Sequence, residues 1–197
     1  MGCDIHICTE ARNRDPRKSR WLNVDRYKLD EYEQEKGNRI YVPVEIWDGR
    51  NYTTFAMLAD VRNSYGIIPI SQPRGIPEDA NEVTLERSER YGIDGHSHSY
   101  LTLKELKEYN AKKSPVTYTG YVSPNDATIV DMGGVPKMWC TLTNDSTWVK
   151  KSWTVIPDDL DDLIKNLQER KVDTLWLWHS PENERDEDIR IVFWFDN

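Results

Sequence analysis

Long apolar runs, paired cysteines and a surplus of basic residues are all missing from this chain. No stretch approaches the roughly 18 apolar residues of a membrane span, so no membrane partner is expected. Asp4 and His6 interrupt the first apolar stretch, which argues against a signal peptide. His6 also stands where a myristoylation signal would need Ser or Thr. The cysteines, Cys3, Cys8 and Cys140, form no Cys-x-x-Cys pair and no even framework. Free thiols suit a reducing compartment, and a cytoplasmic location is expected. Basic residues number 26 against 34 acidic ones, for a net charge of -8. General nucleic-acid binding needs the opposite balance, because phosphates are neutralised by Lys and Arg. A local basic pocket remains compatible with that total. Walker A, Rossmann glycine and Gly-x-Ser-x-Gly motifs are absent too.

Tryptophan, by contrast, is plentiful: eight residues against three phenylalanines. Each pairs a wide apolar face with one N–H donor, so the set suits a core and also a pocket that stacks flat rings. The chain has 197 residues, enough for one domain with its own core. Cys3, Ile5 and Ile7 alternate with Asp4, His6 and Cys8, the period of a strand. Trp21 to Val24 reads as its hairpin partner, and Asp25 to Asn38 as a charged surface excursion. Pro43 places the segment 39–47 at a sheet edge. Phe55, Leu58 and Val61 predict a helix over 52–62, with Gly66 as a stop. Prolines stiffen an irregular loop over 67–81. Thr102 and Glu105 form a capping box that opens a helix running to about Asn110. Residues 114–156 read as a β-rich insertion within the single domain 1–197. Leu160, Leu163, Ile164 and Leu167 mark an amphipathic helix, followed by strands at 174–178 and 189–195. The expected class is therefore α+β: a mixed, mostly antiparallel sheet with two to four helices packed on it.

Three constellations could carry chemistry. Asp4, His6 and Cys8 project oxygen, nitrogen and sulfur donors from one strand face, and Asp-x-His is a recurrent metal-ligand pair. Water-facing polar residues would give the same alternation. Asp94, His96 and His98 in the segment DGHSHS could chelate a divalent metal such as Zn or Mn, or act as acid and base. Ser97 and Ser99 add hydroxyls just ahead of a helix N-terminus. A polar turn is the plainer explanation. Arg74, on its proline-flanked loop, suits bidentate capture of phosphate, though an ordinary ion pair explains it equally. Arg190, inside an apolar run, must be paired or face a polar cleft.

Asp4-Ile5-His6 and Gly95-His96-Ser97-His98 are similar to the first and last motifs of calcineurin-like phosphoesterases, whose intervening motifs are absent here. Broader likeness comes from MGCDIH, NYTTFAMLADVR, PISQPRGIPEDA, DGHSHSYLTLKEL and RIVFWFDN. Together these resemble a family of uncharacterised phage and bacterial proteins, with Tyr100 at a position the family fills with Trp. His98 falls at that pattern's variable position, which favours His96 as the functional histidine. The resemblance covers about the first 110 residues and the last ten. It implies a phage setting, where small proteins often interfere with host defence.

The leading expectation is a binding module that sequesters a nucleotide-type, phosphorylated small molecule such as an immune signal. Its pocket would use His6, Arg74, His96, Ser97, Ser99 and Tyr100. The alternatives are a metal-dependent phosphohydrolase and a protein-binding inhibitor that uses the aromatic insertion. The hydrolase would use Asp4, His6, Asp94 and His96 as ligands, with His6, His96 and Asp94 as its catalytic groups. Homo-oligomerisation is left open.

Overall fold

Period-two alternation at the amino terminus does produce a strand, β1 (Asp4–Asn13), and it enters a four-stranded sheet. The structure, a computed structural model, describes residues 2–13, 20–174 and 186–197. In chain order the next elements are β2 (Arg20–Asn23), β3 (Arg26–Leu29), α1 (Glu31–Glu35), β4 (Tyr41–Val44), α2 (Tyr52–Ala59) and α3 (Glu82–Glu89). Then come β5 (His96–Thr102), α4 (Leu103–Lys112), β6 (Val116–Val122), α5 (Pro124–Asp131) and β7 (Trp139–Cys140). The chain closes with β8 (Val149–Val155), α6 (Asp161–Thr174), a 3-10 turn at Asp186–Asp188 and β9 (Ile189–Asp196). The class is α+β. The main sheet runs β2-β1-β9-β5, and its ladders are antiparallel. The strand foreseen at 174–178 lies outside the described residues, except for Thr174, which ends α6.

β9 is central and covered on both sides. Residues 189–195 are at most 4% exposed, as a near-continuous apolar run requires. Ile191, Phe193 and Phe195 join the main core with Phe55 and Leu58 of α2, Leu103 and Leu106 of α4, and Leu163 and Leu167 of α6. Burying each such side chain contributes about 1.5–3 kcal/mol. The same core continues into the insertion through Val116, Tyr118, Val122 and Trp153.

The other sheet face carries a buried polar network. Glu10, 0% exposed, meets Arg190 of β9 at 2.7 Å, and Arg190 also reaches Asp79 at 2.9 Å. The Arg190 guanidinium lies 3.9 Å from the centroid of a Trp21 ring. Thr84 of α3 donates to Glu10, and Arg87 bridges Asp25 and Glu45. α3 and the loop before it thus cap this face through ion pairs. Among the residues of α3 only Thr84 is buried, so the helix carries no apolar stripe for sequence periodicity to find.

Caps fix most of the helix ends. Asn51 accepts from the N–H groups of Thr53 and Thr54, and α2 stops at Asp60, which turns left-handed at φ 61°. The helix therefore ends before Arg62 and does not need Gly66 as its stop. Thr102 and Glu105 form the expected capping box, but α4 runs on to Lys112. The insertion is β-rich as expected, a sheet ordered β7-β6-β8, and it also contains α5, opened by Ser123 and Pro124. The excursion 25–38 holds β3 and the single turn α1, and β3 pairs with β4, where Pro43 sits in a two-stranded ribbon. No described helix is long and apolar enough to cross a membrane.

Candidate functional site

The two histidine segments share a sheet, but His6 and His96 do not share a face. β1 and β5 flank β9, with His6 opposite Trp194 and His96 opposite Phe195. Neighbouring residues of a strand point to opposite faces, so His6 and His96 are directed away from each other. An irregularity between His96 and Ser99 then turns His98 back to the Trp194 side. His6 and His98 stack on Trp194 at centroid distances of 5.9 and 6.0 Å. The histidine that joins His6 is thus His98, the one the family pattern disfavoured.

His6 stands between Tyr91 and Asp196. Tyr91 Oη is 2.9 Å from Nδ1, and Asp196 Oδ2 is 3.2 Å from Nε2, near enough for charge pairing but outside hydrogen-bond geometry. Burial raises the Tyr91 phenol above its ordinary range, despite the nearby Arg87, so it stays protonated at neutral pH. Burial also lowers His98, and His96 nearby adds to that shift. Cys8, fully buried rather than lining an open polar face, is pushed up to about 12 by the same desolvation. No thiolate or phenolate is ready for attack here.

The proposed metal ligands do not converge. Asp4 is clamped by Arg50 through two hydrogen bonds of 2.6 and 2.5 Å, which hold its carboxyl below the usual range. Asp94 lies exposed in the turn before β5. Among the described residues no cluster of three or more His, Cys, Asp and Glu side chains is placed to hold an ion.

Arg74 is spent on structure. Its guanidinium pairs with Glu105 at 2.7 Å and donates to the Tyr100 carbonyl, while its backbone N–H reaches Ser99 Oγ at 3.3 Å. Gly75 N–H then donates to the His98 carbonyl. Ser99 is fully buried and Tyr100 lies under Arg74 at 5.4 Å, so both belong to this anchor of the loop on β5. Burial works against the Glu105 charge, but hydrogen bonds from Arg74 and Thr102 outweigh it and lower the carboxyl. Among the described residues His6 and His96 thus sit on opposite sheet faces, and Arg74 is engaged with Glu105.

A different cleft does form, between α2 with the loop after it and the insertion sheet. It measures about 390 Å³, within the range of small-molecule sites. Tyr65, Tyr118 and Trp139 line it as a mutually packed set, with centroids 4.7 to 6.1 Å apart. Tyr118 is oriented by Thr53, whose Oγ1 is 2.9 Å from the phenol oxygen. Gly120 makes the arrangement fit, because a Cβ there would lie 2.6 Å from Trp139 Cε3. The charged residues in the lining are Arg50 and Arg62, without a described carboxylate among them. Arg50 turns Nε and one terminal nitrogen to Asp4, and neither bond uses Nη1. Arg62 donates to Asn197 at 2.8 Å and lies 5.9 Å from a Tyr52 ring centroid.

Sequence reasoning placed tryptophans in a ring-stacking pocket in general terms but did not find these residues. They come from segments 50–65 and 118–141, and only the fold brings them together. The pair of arginines flanking a helix of aromatic and hydroxyl residues, over 50–62, was the available signal. Compared with known proteins, the chain matches no protein-family model, no curated protein and no solved structure.

Proposed function

We propose that this protein binds and holds a small ligand that joins a flat ring to a phosphate, a nucleotide-type molecule, in the cleft beside Trp139. The carrying observation is the cleft lining: three packed aromatic rings and two arginines, in a chain of net charge -8. An aromatic wall accepts a base by stacking, worth about 1–3 kcal/mol per base. Guanidinium groups take phosphate by charge-assisted hydrogen bonds. The described lining of the cleft holds no His, Cys, Asp or Glu side chain to act as base, thiol nucleophile or metal ligand, so holding the ligand intact fits better than hydrolysing it. The phage setting implied by the sequence resemblance makes a host nucleotide signal one candidate.

Native mass spectrometry of the protein incubated with nucleoside monophosphates tests this reading. A one-to-one adduct released unchanged on denaturation supports it, and conversion to nucleoside and phosphate would sink it. A second reading, contact with a protein partner, is favoured by exposed Met132, Val135, Met138 and Leu142 in the insertion. Lysine substitutions at Met138 and Leu142 would abolish such contact and leave nucleotide binding intact.

A further inference from the structure

We infer that the ligand site continues past Arg62 into a second groove that takes a further linked phosphate, so that the ligand class is a nucleoside diphosphate or longer. This rests on the nucleotide reading of the cleft. The groove, about 490 Å³, is lined by Asp60, Val61, Arg62, His96, Ser97 and Asn197. Arg62 lines both cavities.

Backbone conformation singles out the same place. The described non-glycine residues with positive φ are Asp60 at 61°, Arg62 at 55° and Ser97 at 50°. All three line this groove. A left-handed arginine or serine is disfavoured, and such residues persist where the surroundings hold them, often at binding sites. The irregularity in β5 delivers Ser97, and the stop of α2 at Asp60 delivers Arg62.

His96 then sets the Ser97 hydroxyl. Its Nδ1 is 3.0 Å from Ser97 Oγ, while its buried Nε2 has no hydrogen-bond partner among the described residues. A buried N–H without an acceptor is costlier than an unused lone pair, which favours the tautomer with its proton on Nδ1. Ser97 Oγ accepts that proton's hydrogen bond, and its own O–H is left to donate into the groove. His96 is a positioning residue here, and Ser97 and Arg62 make the phosphate contacts. Arg62 is oriented by its bond to Asn197 Oδ1. The acid in the lining, Asp60, already accepts from Asn63 on one oxygen and Gln72 on the other.

Calorimetric titrations with adenosine 5′-monophosphate, adenosine 5′-diphosphate and inorganic pyrophosphate test the groove. The diphosphate should bind about ten-fold more tightly than the monophosphate, the gain from one charge-assisted contact set. Ser97→Ala should remove most of that gain and leave the monophosphate unchanged, and His96→Phe should do the same in a folded protein. Equal affinity of the two nucleotides for the wild type would overturn the proposal, and so would a Ser97→Ala variant that weakens both alike. Pyrophosphate binding that Ser97→Ala abolishes, with neither nucleotide bound, would keep the groove and remove the aromatic-cleft reading. Nucleotides bound without distinction would do the reverse.

Discussion

Replacing Arg190 with Met exposes how the polar sheet face is held. In the native protein Glu10 Oε2 accepts from Arg190 Nε at 2.8 Å and faces Nη2 at 2.7 Å. Oε1 accepts from the Asn81 N–H and the Thr84 hydroxyl at 2.7 and 2.6 Å. Methionine fills similar space but strips Oε2 of both donors, leaving a carboxylate in a site that is 0% exposed. Breaking a buried pair in this way costs about 3–5 kcal/mol, a large part of a total stability of about 5–15 kcal/mol. For a chain of this size the melting temperature should fall by about 6–20 °C. Thermal and urea unfolding, followed by circular dichroism, would read it directly. A loss below about 1 kcal/mol would refute the claim that this pair is buried and closed. Glu10→Gln added to Arg190→Met should recover about half of the loss, because it removes the stranded charge.

Three further outcomes follow from the same physics. Gly120→Val should destabilise by about 1–3 kcal/mol, since its Cβ meets Trp139 at 2.6 Å, and near-ultraviolet circular dichroism should show the displaced indole. Glu105 has a lowered carboxyl in the folded state, so its contribution is present above its unfolded value of about 4.3 and is lost as pH falls through the folded value. Arg74→Met should accordingly lower stability at pH 7 and matter progressively less below about pH 4, measured by urea unfolding across pH. A thiol reagent at pH 8 should modify half-buried Cys140 first, with fully buried Cys3 and Cys8 reacting only on unfolding. Three equally fast thiols would contradict the burial of Cys3 and Cys8.

Much of the fold was legible because burial writes a period into the chain. The alternation at Cys3 to Cys8, the stripe Leu160–Leu163–Leu167 and the run Ile189–Phe195 each led to the observed element. Thr102 and Glu105 marked α4 through local hydrogen bonding alone. α3 escaped because its contacts with the sheet are Thr84–Glu10 and Arg87–Asp25, interactions that leave no apolar pattern. α5 escaped for a different reason: residues 114–156 read as β-rich throughout, and the helix opened by Ser123 and Pro124 is a short one within them.

The candidate site was less legible. His6 and His96 looked like one centre because both lie in short, chemistry-bearing motifs. Their register against Trp194 and Phe195 separates them onto two faces, and one irregularity in β5 decides which histidine goes where. Ser97 and His96 kept a place beside a cavity, while Arg74 turned out to be an anchor for its own loop. Tyr65, Tyr118 and Trp139 are scattered over more than seventy positions, and no local pattern links them.

The central claim is that the Trp139 cleft holds a nucleotide-type ligand. A crystal structure with adenosine 5′-monophosphate tests it most directly. The account predicts the adenine ring against Tyr65 and Trp139, with the phosphate between Arg50 and Arg62. Ligand density on the His6–Tyr91 face with the cleft left empty would contradict it.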